Sequence, residues 1–155
     1  MNTTSGSSPS LGSRIGKTLT KGFLGVHRTL YRLTNGKFGG TMGSNRPVLL
    51  LTTTGRKTGK QRTWPLVYFR DGANMVIVGS NGGQPRDPAW CHNLRSNPTT
   101  TVQIGADTIK VRAEQATSDE RSRLWSMIVA QAPNFDEYRK KTSREIPLMI
   151  LHPTA

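Results

Sequence analysis

The sequence has almost no cysteine and, over its first 70 residues, no aspartate or glutamate. The single cysteine, Cys91, excludes an internal disulfide and argues against a metal site built from cysteines. The three histidines, His27, His92 and His152, lack the spacing of metal ligands, so no metal is predicted. No apolar run approaches the roughly 20 residues that a bilayer-spanning helix needs.

The missing acids leave an uneven positive charge. The chain has 22 lysines and arginines against 9 aspartates and glutamates, for a formal net charge of +13. Residues 1–70 carry twelve of the cations, and residues 71–155 carry the other ten with all nine acids, so the halves contribute +12 and +1. A charge of this size indicates an anionic partner, and composition leaves open a nucleic acid, a membrane surface or a small polyanion.

The first 34 residues differ in composition from the rest. Residues 1–13 are rich in serine, glycine and threonine and carry no charge, which predicts a flexible tail. Residues 14–34 place Ile15, Leu19 and Phe23 on one stripe and basic residues on another, which predicts a basic amphipathic helix. Three interpretations are open: peripheral contact with an anionic membrane, packing on the domain, or a mitochondrial transit peptide.

Residues 35–155 are predicted to form one domain dominated by β-strands. Apolar and β-branched runs bounded by turn signals predict strands at 47–54, 62–70, 74–80, 99–105, 107–115 and 146–151. Helices are predicted from an Asp87-Pro88 cap to about Asn97, from the capping box at Thr117, and over 134–142. Pro65 restricts its strand to a sheet edge or a bulge. The predicted fold class is α+β, mainly β: a small, mostly antiparallel barrel with peripheral helices.

One loop concentrates positive charge. It spans residues 55–62, GRKTGKQR, and contains four cations: Arg56, Lys57, Lys60 and Arg62. It is not a P-loop, because Gly55 and Gly59 enclose three residues instead of four and no Ser or Thr follows the second lysine. A hairpin tip of this kind suits a phosphate or several carboxylates, although a solvated basic turn has the same composition.

A second glycine-rich turn, GSNGG at 79–83, precedes the helix that starts near Asp87. Its glycines permit close backbone approach to a ligand, and the helix N-terminus attracts anions. Cys91 and His92 are adjacent on that helix, where side chains diverge by about 100°, so they form a poor nucleophile–base pair. Tyr138 follows later; a phenol is protonated at neutral pH and can donate a proton.

Three separated blocks together resemble a known family. They are LLLTTTGRKTGKQRTWPL (49–66), GSNGGQPRDPAWCHNLRSNP (79–98) and FDEYRKKTSREIPLMIL (135–151). In this order they are similar to the deazaflavin-dependent nitroreductases and quinone reductases of actinobacteria, which use coenzyme F420. The resemblance, from about Gly39 to Pro153, implies a split β-barrel related to flavin-mononucleotide oxidoreductases. It also implies a deazaflavin coenzyme with a phosphate and an oligoglutamate tail. The expected location is the cytoplasm, with peripheral contact to the inner face of the cell membrane as the open alternative.

The resemblance also implies roles for individual residues. Phosphate and nearby tail contacts fall on Arg56, Lys57, Thr58 and Arg62, with Lys60 for the glutamates. The deazaflavin and ribityl contacts fall on Thr63, Trp64, Pro65, Leu66 and Val67, on Val78, Gly79, Ser80, Asn81 and Gly82, and on Ala89, Trp90, Cys91, His92 and Asn93. Phe135 would flank the ring. Ser80 and Tyr138 match positions near the substrate, with Tyr138 as proton donor or orienting group.

The chain departs from the family pattern at a few positions. Asn81 stands where close relatives carry a lysine, which removes one contact to the coenzyme. Ala132 and Phe135 stand where nitroimidazole-reducing members carry tyrosines, which favours quinones or enones over nitroimidazoles as substrates. The prediction is an oxidoreductase that transfers a hydride from reduced coenzyme F420 to a quinone, an enone or a nitro compound.

Three alternatives are retained. The same fold could use flavin mononucleotide (FMN), or the protein could carry the coenzyme without turnover. A sequence pI near 10.9 permits a nucleic-acid-binding module. Because no alternation of exposed aromatic and basic residues supplies a stacking platform, no nucleic acid partner is expected. The sequence does not determine the oligomeric state.

Overall fold

The fold is built around six antiparallel strands in one barrel. The computed structural model describes residues 46–154, so the tail predicted at 1–13, the helix predicted at 14–34 and the start of the 35–155 domain lie outside the described residues. The strands are β1 Val48–Thr54, β2 Gln61–Asp71, β3 Asn74–Val78, β4 Thr99–Ile104, β5 Asp107–Gln115 and β6 Leu148–Pro153. Their order is β1-β2-β3-β6-β5-β4, and β4 pairs back with β1 to close the barrel. The predicted mainly β, antiparallel barrel is therefore confirmed.

Three helices and one short 3₁₀ turn connect the strands. The turn is Asn81–Gly83, and the helices are α1 Ala89–Ser96, α2 Ser118–Gln131 and α3 Asn134–Lys141. The predicted capping of α2 is confirmed, because the Thr117 side chain accepts a hydrogen bond from the Glu120 amide at 3.4 Å. The β4–β5 hairpin turns through Gly105 and Ala106, with Gly105 at a φ of 62° that favours glycine.

Pro65 has no backbone N–H, and it lies at a position of β2 where no hydrogen bond to a neighbouring strand requires one. The Tyr68 amide donates to the Pro47 carbonyl, towards β1, and amide direction alternates along a strand. The nitrogen of Pro65 therefore faces away from β1. On that side β2 pairs with β3 only from Tyr68 onward, so the first half of β2 is a local edge, as predicted.

Four predicted boundaries, in three elements, are wrong. The third strand ends at Val78, not at 80, because Gly79 leaves the sheet and its amide donates to the Pro147 carbonyl at 2.8 Å. The last strand begins at Leu148 and continues to Pro153, where it pairs with β5. The first helix begins at Ala89 without a side-chain cap, since the carboxylate expected to cap it forms ion pairs instead.

The core has two parts because β3 and β6 are buried on both faces. Successive side chains of a strand point to opposite faces. Alternate residues such as Met75 and Leu151 fill the barrel interior, together with Trp90 and Cys91 from α1. The intervening residues, such as Val76, lie on the outer face under α2 and α3. This double burial explains the uninterrupted apolar runs of both strands.

Gly79 lies where no side chain fits. A Cβ atom at this position would be 2.6 Å from Pro147 Cγ and 2.7 Å from Cys91 Sγ. We expect Gly79→Ala to lower the free energy of unfolding by about 1–3 kcal/mol, because overpacking forces neighbours out of place. Chemical denaturation measures this, with Ala106→Gly at an exposed turn as a one-methyl control expected to change it by less than about 0.5 kcal/mol. An unchanged midpoint for Gly79→Ala would contradict the close packing.

Candidate functional site

A cleft of about 790 Å³ opens beside the β1–β2 hairpin. Its walls come from three parts of the chain that the sequence separates widely. They are the hairpin tip (Gly55, Arg56, Lys57, Thr58, Arg62 and Trp64), the start of α1 (Pro85, Arg86, Asp87, Ala89, His92 and Asn93) and the segment before β6 (Arg144 and Glu145). Five of these residues are cationic and two are acidic, so the cleft is positively charged.

The basic side chains of the hairpin tip are exposed to solvent. The Gly55 amide donates to the Lys60 carbonyl at 2.7 Å, and the Gly59 amide donates to the Gly55 carbonyl at 2.8 Å. These bonds close the loop and leave its four basic side chains, residues 56, 57, 60 and 62, exposed. None of the four forms an ion pair with a carboxylate of residues 46–154, so their charge is available to a ligand.

Asn93 fixes the position of the basic loop. Its side chain is 6% exposed and lies on α1, between the loop and β1. The Asn93 Nδ2 atom donates to Thr53 Oγ1 at 3.1 Å, and its Oδ1 atom accepts from the Arg56 amide at 3.1 Å. Both ends of the amide are therefore used, so this residue orients the loop by holding its backbone.

Arg144 ties together the other two walls. Its guanidinium donates to the Asp87 carboxylate at 2.7 Å, to the Gln84 carbonyl at 2.9 Å, and to the Gly79 and Ser80 carbonyls at 3.1 and 2.8 Å. The side chains of Arg144 and Asp87 are only 15% and 17% exposed. Asp87 also pairs with Arg95 at 2.9 Å, so the charge of the carboxylate is compensated within the site.

Trp64 supplies a donor that lacks a partner. Its Nε1 atom is buried without a hydrogen-bond partner in the described part of the chain, and the residue lines the cleft. A buried donor without an acceptor costs free energy, and an atom buried this completely is out of reach of a ligand in the cleft. The exposed cations of the cleft suit a molecule with several anionic groups, so they fit the deazaflavin coenzyme with its phosphate and glutamates.

The predicted coenzyme contacts lie in several parts of the structure, and the largest group lines the cleft. Eight of them line the cleft: Arg56, Lys57, Thr58, Arg62, Trp64, Ala89, His92 and Asn93. Lys60 is exposed on the same loop, and the half-buried residues Thr63, Pro65, Leu66 and Val67 continue along β2. Trp90 and Cys91 belong to the barrel core, where burial raises the pKa of the Cys91 thiol to about 12 and keeps it neutral.

The other predicted residues gather at a turn beside the cleft. They are Val78, Gly79, Ser80, Asn81 and Gly82 on and after β3, with Phe135 and Tyr138 on α3. The backbone of Gly83 packs closely on α3, since a Cβ there would be 2.9 Å from Lys141 Cβ. Tyr138 is half-buried, and its ring meets that of Phe135 edge-on at 5.5 Å. Arg144 joins this turn to the cleft through the two carbonyls it binds.

The sequence prediction missed several cleft residues, of which Arg144 is the most connected. Its only sequence signal is its place within the third block, 135–151. Asn81 is also unusual, with a φ of 46° that is rare outside glycine, and its side chain donates to the Arg86 carbonyl at 3.0 Å. Within residues 46–154, there is no cluster of three potential metal ligands and no helix long and apolar enough to cross a membrane.

Comparison with known proteins gives consistent matches. The model of the F420H(2)-dependent quinone reductase family matches residues 24–153. An F420H(2)-dependent quinone reductase of Mycobacterium tuberculosis is 40% identical over 131 residues, which cover 83% of this chain and 88% of the relative. The solved structure of an F420-H2 dependent reductase, FDR-A, is 38% identical with a TM-score of 0.63, over 69% of this chain and 95% of that one. A domain-swapped dimer gives the same TM-score at 34% identity, over 85% and 99%.

The hydrogen bonds of Arg144 predict that the stability of the fold depends strongly on its guanidinium group. We expect Arg144→Lys to lower the free energy of unfolding by about 3 kcal/mol. One ammonium group cannot make the several hydrogen bonds of the planar guanidinium, and it leaves the Asp87 carboxylate poorly paired. The matched control is Arg123→Lys, which alters an exposed bidentate pair with Asp71 and should cost less than about 1 kcal/mol. Urea denaturation of both variants gives the comparison, and equal losses would contradict the structural role of Arg144.

Proposed function

The chain belongs to the F420H(2)-dependent quinone reductase family, and from this premise we propose that it reduces a quinone with coenzyme F420 as the electron donor. It is thus an F420H2-dependent oxidoreductase. The observation that carries the proposal is the cleft itself, which is lined by Trp64 and by three cations without a carboxylate partner among residues 46–154: Arg56, Lys57 and Arg62. When bound, the reduced deazaflavin supplies a hydride, while the protein supplies position, electrostatics and exclusion of water.

Family membership favours coenzyme F420 over the alternatives from sequence. FMN carries a phosphate but lacks an oligoglutamate tail. The cleft has more cations than one phosphate requires, since Arg56, Lys57 and Arg62 lie there with Arg86. A nucleic acid partner has no support from the relatives, and the cations of the described cleft line a concave site, not a flat stacking surface.

The basic loop is proposed to hold the anionic end of the coenzyme. Arg56, Lys57 and Arg62 bind the phosphate, with help from Thr58, and Lys60 reaches the glutamates from outside the cleft wall. Arginine and lysine form charge-assisted hydrogen bonds with phosphate oxygens, which are stronger than neutral ones. The Asn93 side chain supports this role because it holds the loop backbone through the Arg56 amide and leaves the basic side chains of the loop to a ligand.

The ring end of the coenzyme is proposed to lie against β2 and the start of α1. The wall of the cleft at this point is lined by Trp64, Ala89 and His92. Among residues 46–154, the first half of β2, Gln61–Val67, pairs with a strand only on its β1 side. Arg62 and Trp64 of this stretch line the cleft, which supports roles for residues 63–67.

The acceptor is proposed to bind between the Ser80 turn and α3. Reduction of a quinone to a hydroquinone takes up a hydride and a proton, and the Tyr138 hydroxyl is the group proposed to donate or steer that proton. Phe135 flanks the ring and Ser80 positions the substrate. Enones and nitro compounds need the same hydride and proton and are proposed as further acceptors. The membrane contact predicted for residues 14–34 lies outside the described residues and stays a prediction.

The basic loop yields a test by binding. We expect the double variant Arg56→Ala/Lys57→Ala to weaken coenzyme binding on the order of a hundredfold, since each lost charge-assisted contact contributes about 1.5–3 kcal/mol. Fluorescence titration with coenzyme F420 measures the dissociation constant. The matched control, Lys110→Ala/Arg112→Ala, removes two exposed cations from β5 and should change it less than threefold. Equal coenzyme affinity in the two double variants would show that the loop faces only solvent.

Tyr138 yields a test by turnover. We expect Tyr138→Phe to lower kcat with a quinone by at least tenfold while the coenzyme dissociation constant stays constant, because general acid catalysis contributes about 10²–10⁴-fold. Tyr68→Phe removes the same hydroxyl from a tyrosine of the barrel core and serves as the control. A Tyr138→Phe enzyme with wild-type kcat would remove the phenol from the mechanism.

A further inference from the structure

A second pocket, of about 580 Å³, shares two lining residues, Arg144 and Glu145, with the cleft. Side chains of α2, the end of α3 and residues 142–146 line it, among them Arg121, Trp125, Arg139 and Thr142. We infer that this pocket is a second anion site that binds a carboxylate or phosphate group separately from the coenzyme phosphate. It is called the Trp125 pocket below.

The Trp125 pocket brings two like charges to one aromatic ring. The guanidinium carbons of Arg121 and Arg139 lie 5.5 and 5.4 Å from the centroid of the Trp125 ring. Burial lowers the pKa of Arg121, the Glu145 carboxylate opposes this shift, and the charge of Arg139 adds to it. Like charges that line the same pocket repel each other, and an anion bound in that pocket would offset the repulsion.

The pocket also contains a hydroxyl proton that the protein leaves unused. Trp125 is only 8% exposed, and its Nε1 atom is buried too completely to reach a ligand, so it is not counted as a donor. The Thr142 hydroxyl accepts from the Arg144 amide at 3.4 Å, which leaves its own proton to donate. The hydroxyls of Ser122 and Ser126 already donate to helix carbonyls, at 3.5 and 3.0 Å, and are not counted.

Existing acidic partners do not fill the site. Arg139 pairs with Asp136 at 2.6 Å, but a guanidinium has five N–H donors, so others remain. Arg121 donates to the Ile146 carbonyl through Nη1. Its ion pair with Glu145, at 3.7 Å to a side chain that is 70% exposed, is weak, and a ligand can replace it. The remaining donors of two guanidinium groups and one hydroxyl thus line one space.

The Trp125 pocket adjoins the coenzyme cleft. Arg144 and Glu145 line both spaces, so the two are separated by one residue layer. The anion therefore has two possible sources with the same chemistry. One is a free phosphorylated or carboxylated molecule, and the other is a carboxylate of the coenzyme's own tail. Only the second source depends on the function proposed above.

Indole N–H signals in a nitrogen–proton NMR correlation spectrum report on the two sites independently. The chain has three tryptophans: Trp64 in the cleft, Trp90 in the core and Trp125 in this pocket. Trp125→Phe assigns the Trp125 signal. With inorganic phosphate at constant ionic strength and coenzyme in the cleft, we expect this signal to shift saturably. Its midpoint should rise about tenfold in Arg139→Gln, the effect of one lost charge-assisted contact.

Two controls make the outcome decisive. Arg123→Gln removes the charge of another α2 arginine, paired with Asp71 outside the pocket, and should leave the midpoint within twofold. An unmoved Trp90 signal shows that each variant is folded.

A second titration uses coenzyme with and without its glutamate tail. A Trp125 shift with the tailed form alone identifies the anion as a tail carboxylate, and a shift with phosphate identifies a separate ligand.

A Trp125 signal that responds to neither phosphate nor the tailed coenzyme overturns the inference. This failure is distinct from failure of the proposed function, because the Trp64 signal reports coenzyme binding in the cleft. If Trp64 shifts with coenzyme while Trp125 stays still, the coenzyme site stands and the second anion site does not. If Trp125 shifts with phosphate while Trp64 ignores the coenzyme, the reverse holds.

Discussion

The Arg144 guanidinium and the Asp87 carboxylate, 2.7 Å apart, join segments that are 57 residues apart in sequence. Through the same guanidinium, the carbonyls of Gly79 and Ser80 are held against the segment that leads into β6. A buried ion pair gains little unless its remaining donors are satisfied, and here they meet backbone carbonyls. The geometry of the turn, the start of α1 and one wall of the cleft therefore depends on this single side chain.

The opposite wall of the cleft is the basic loop, and its position depends on hydrogen bonds of the uncharged Asn93 side chain. Asn93 holds the basic loop by its backbone, so the cationic side chains themselves remain without carboxylate partners in the described residues. Unpaired like charges repel and lower stability, which a protein tolerates where a ligand will neutralise them. The cations of the loop are therefore exposed and available to a ligand, whereas Asn93 and Thr53, which position the loop, are buried.

Local features of the fold could be predicted from sequence, and long-range contacts could not. Apolar runs between turn residues gave the six strands, and Thr117 identified the start of α2. Asp87 looked like a helix cap because the cap pattern is local, whereas its actual partner is far along the chain. Cys91 looked like a site residue because it lies in a motif, although its helix directs it into the core.

The central claim is that this cleft holds reduced coenzyme F420 for transfer to a quinone. The most direct measurement is the absorbance of oxidised coenzyme F420 as the purified protein is mixed with the reduced form and a panel of quinones, enones and nitroaromatics. We expect saturable, protein-dependent oxidation with quinones, faster than with nitroaromatics. Tight coenzyme binding with no oxidation by any acceptor of the panel would contradict it and indicate a coenzyme carrier.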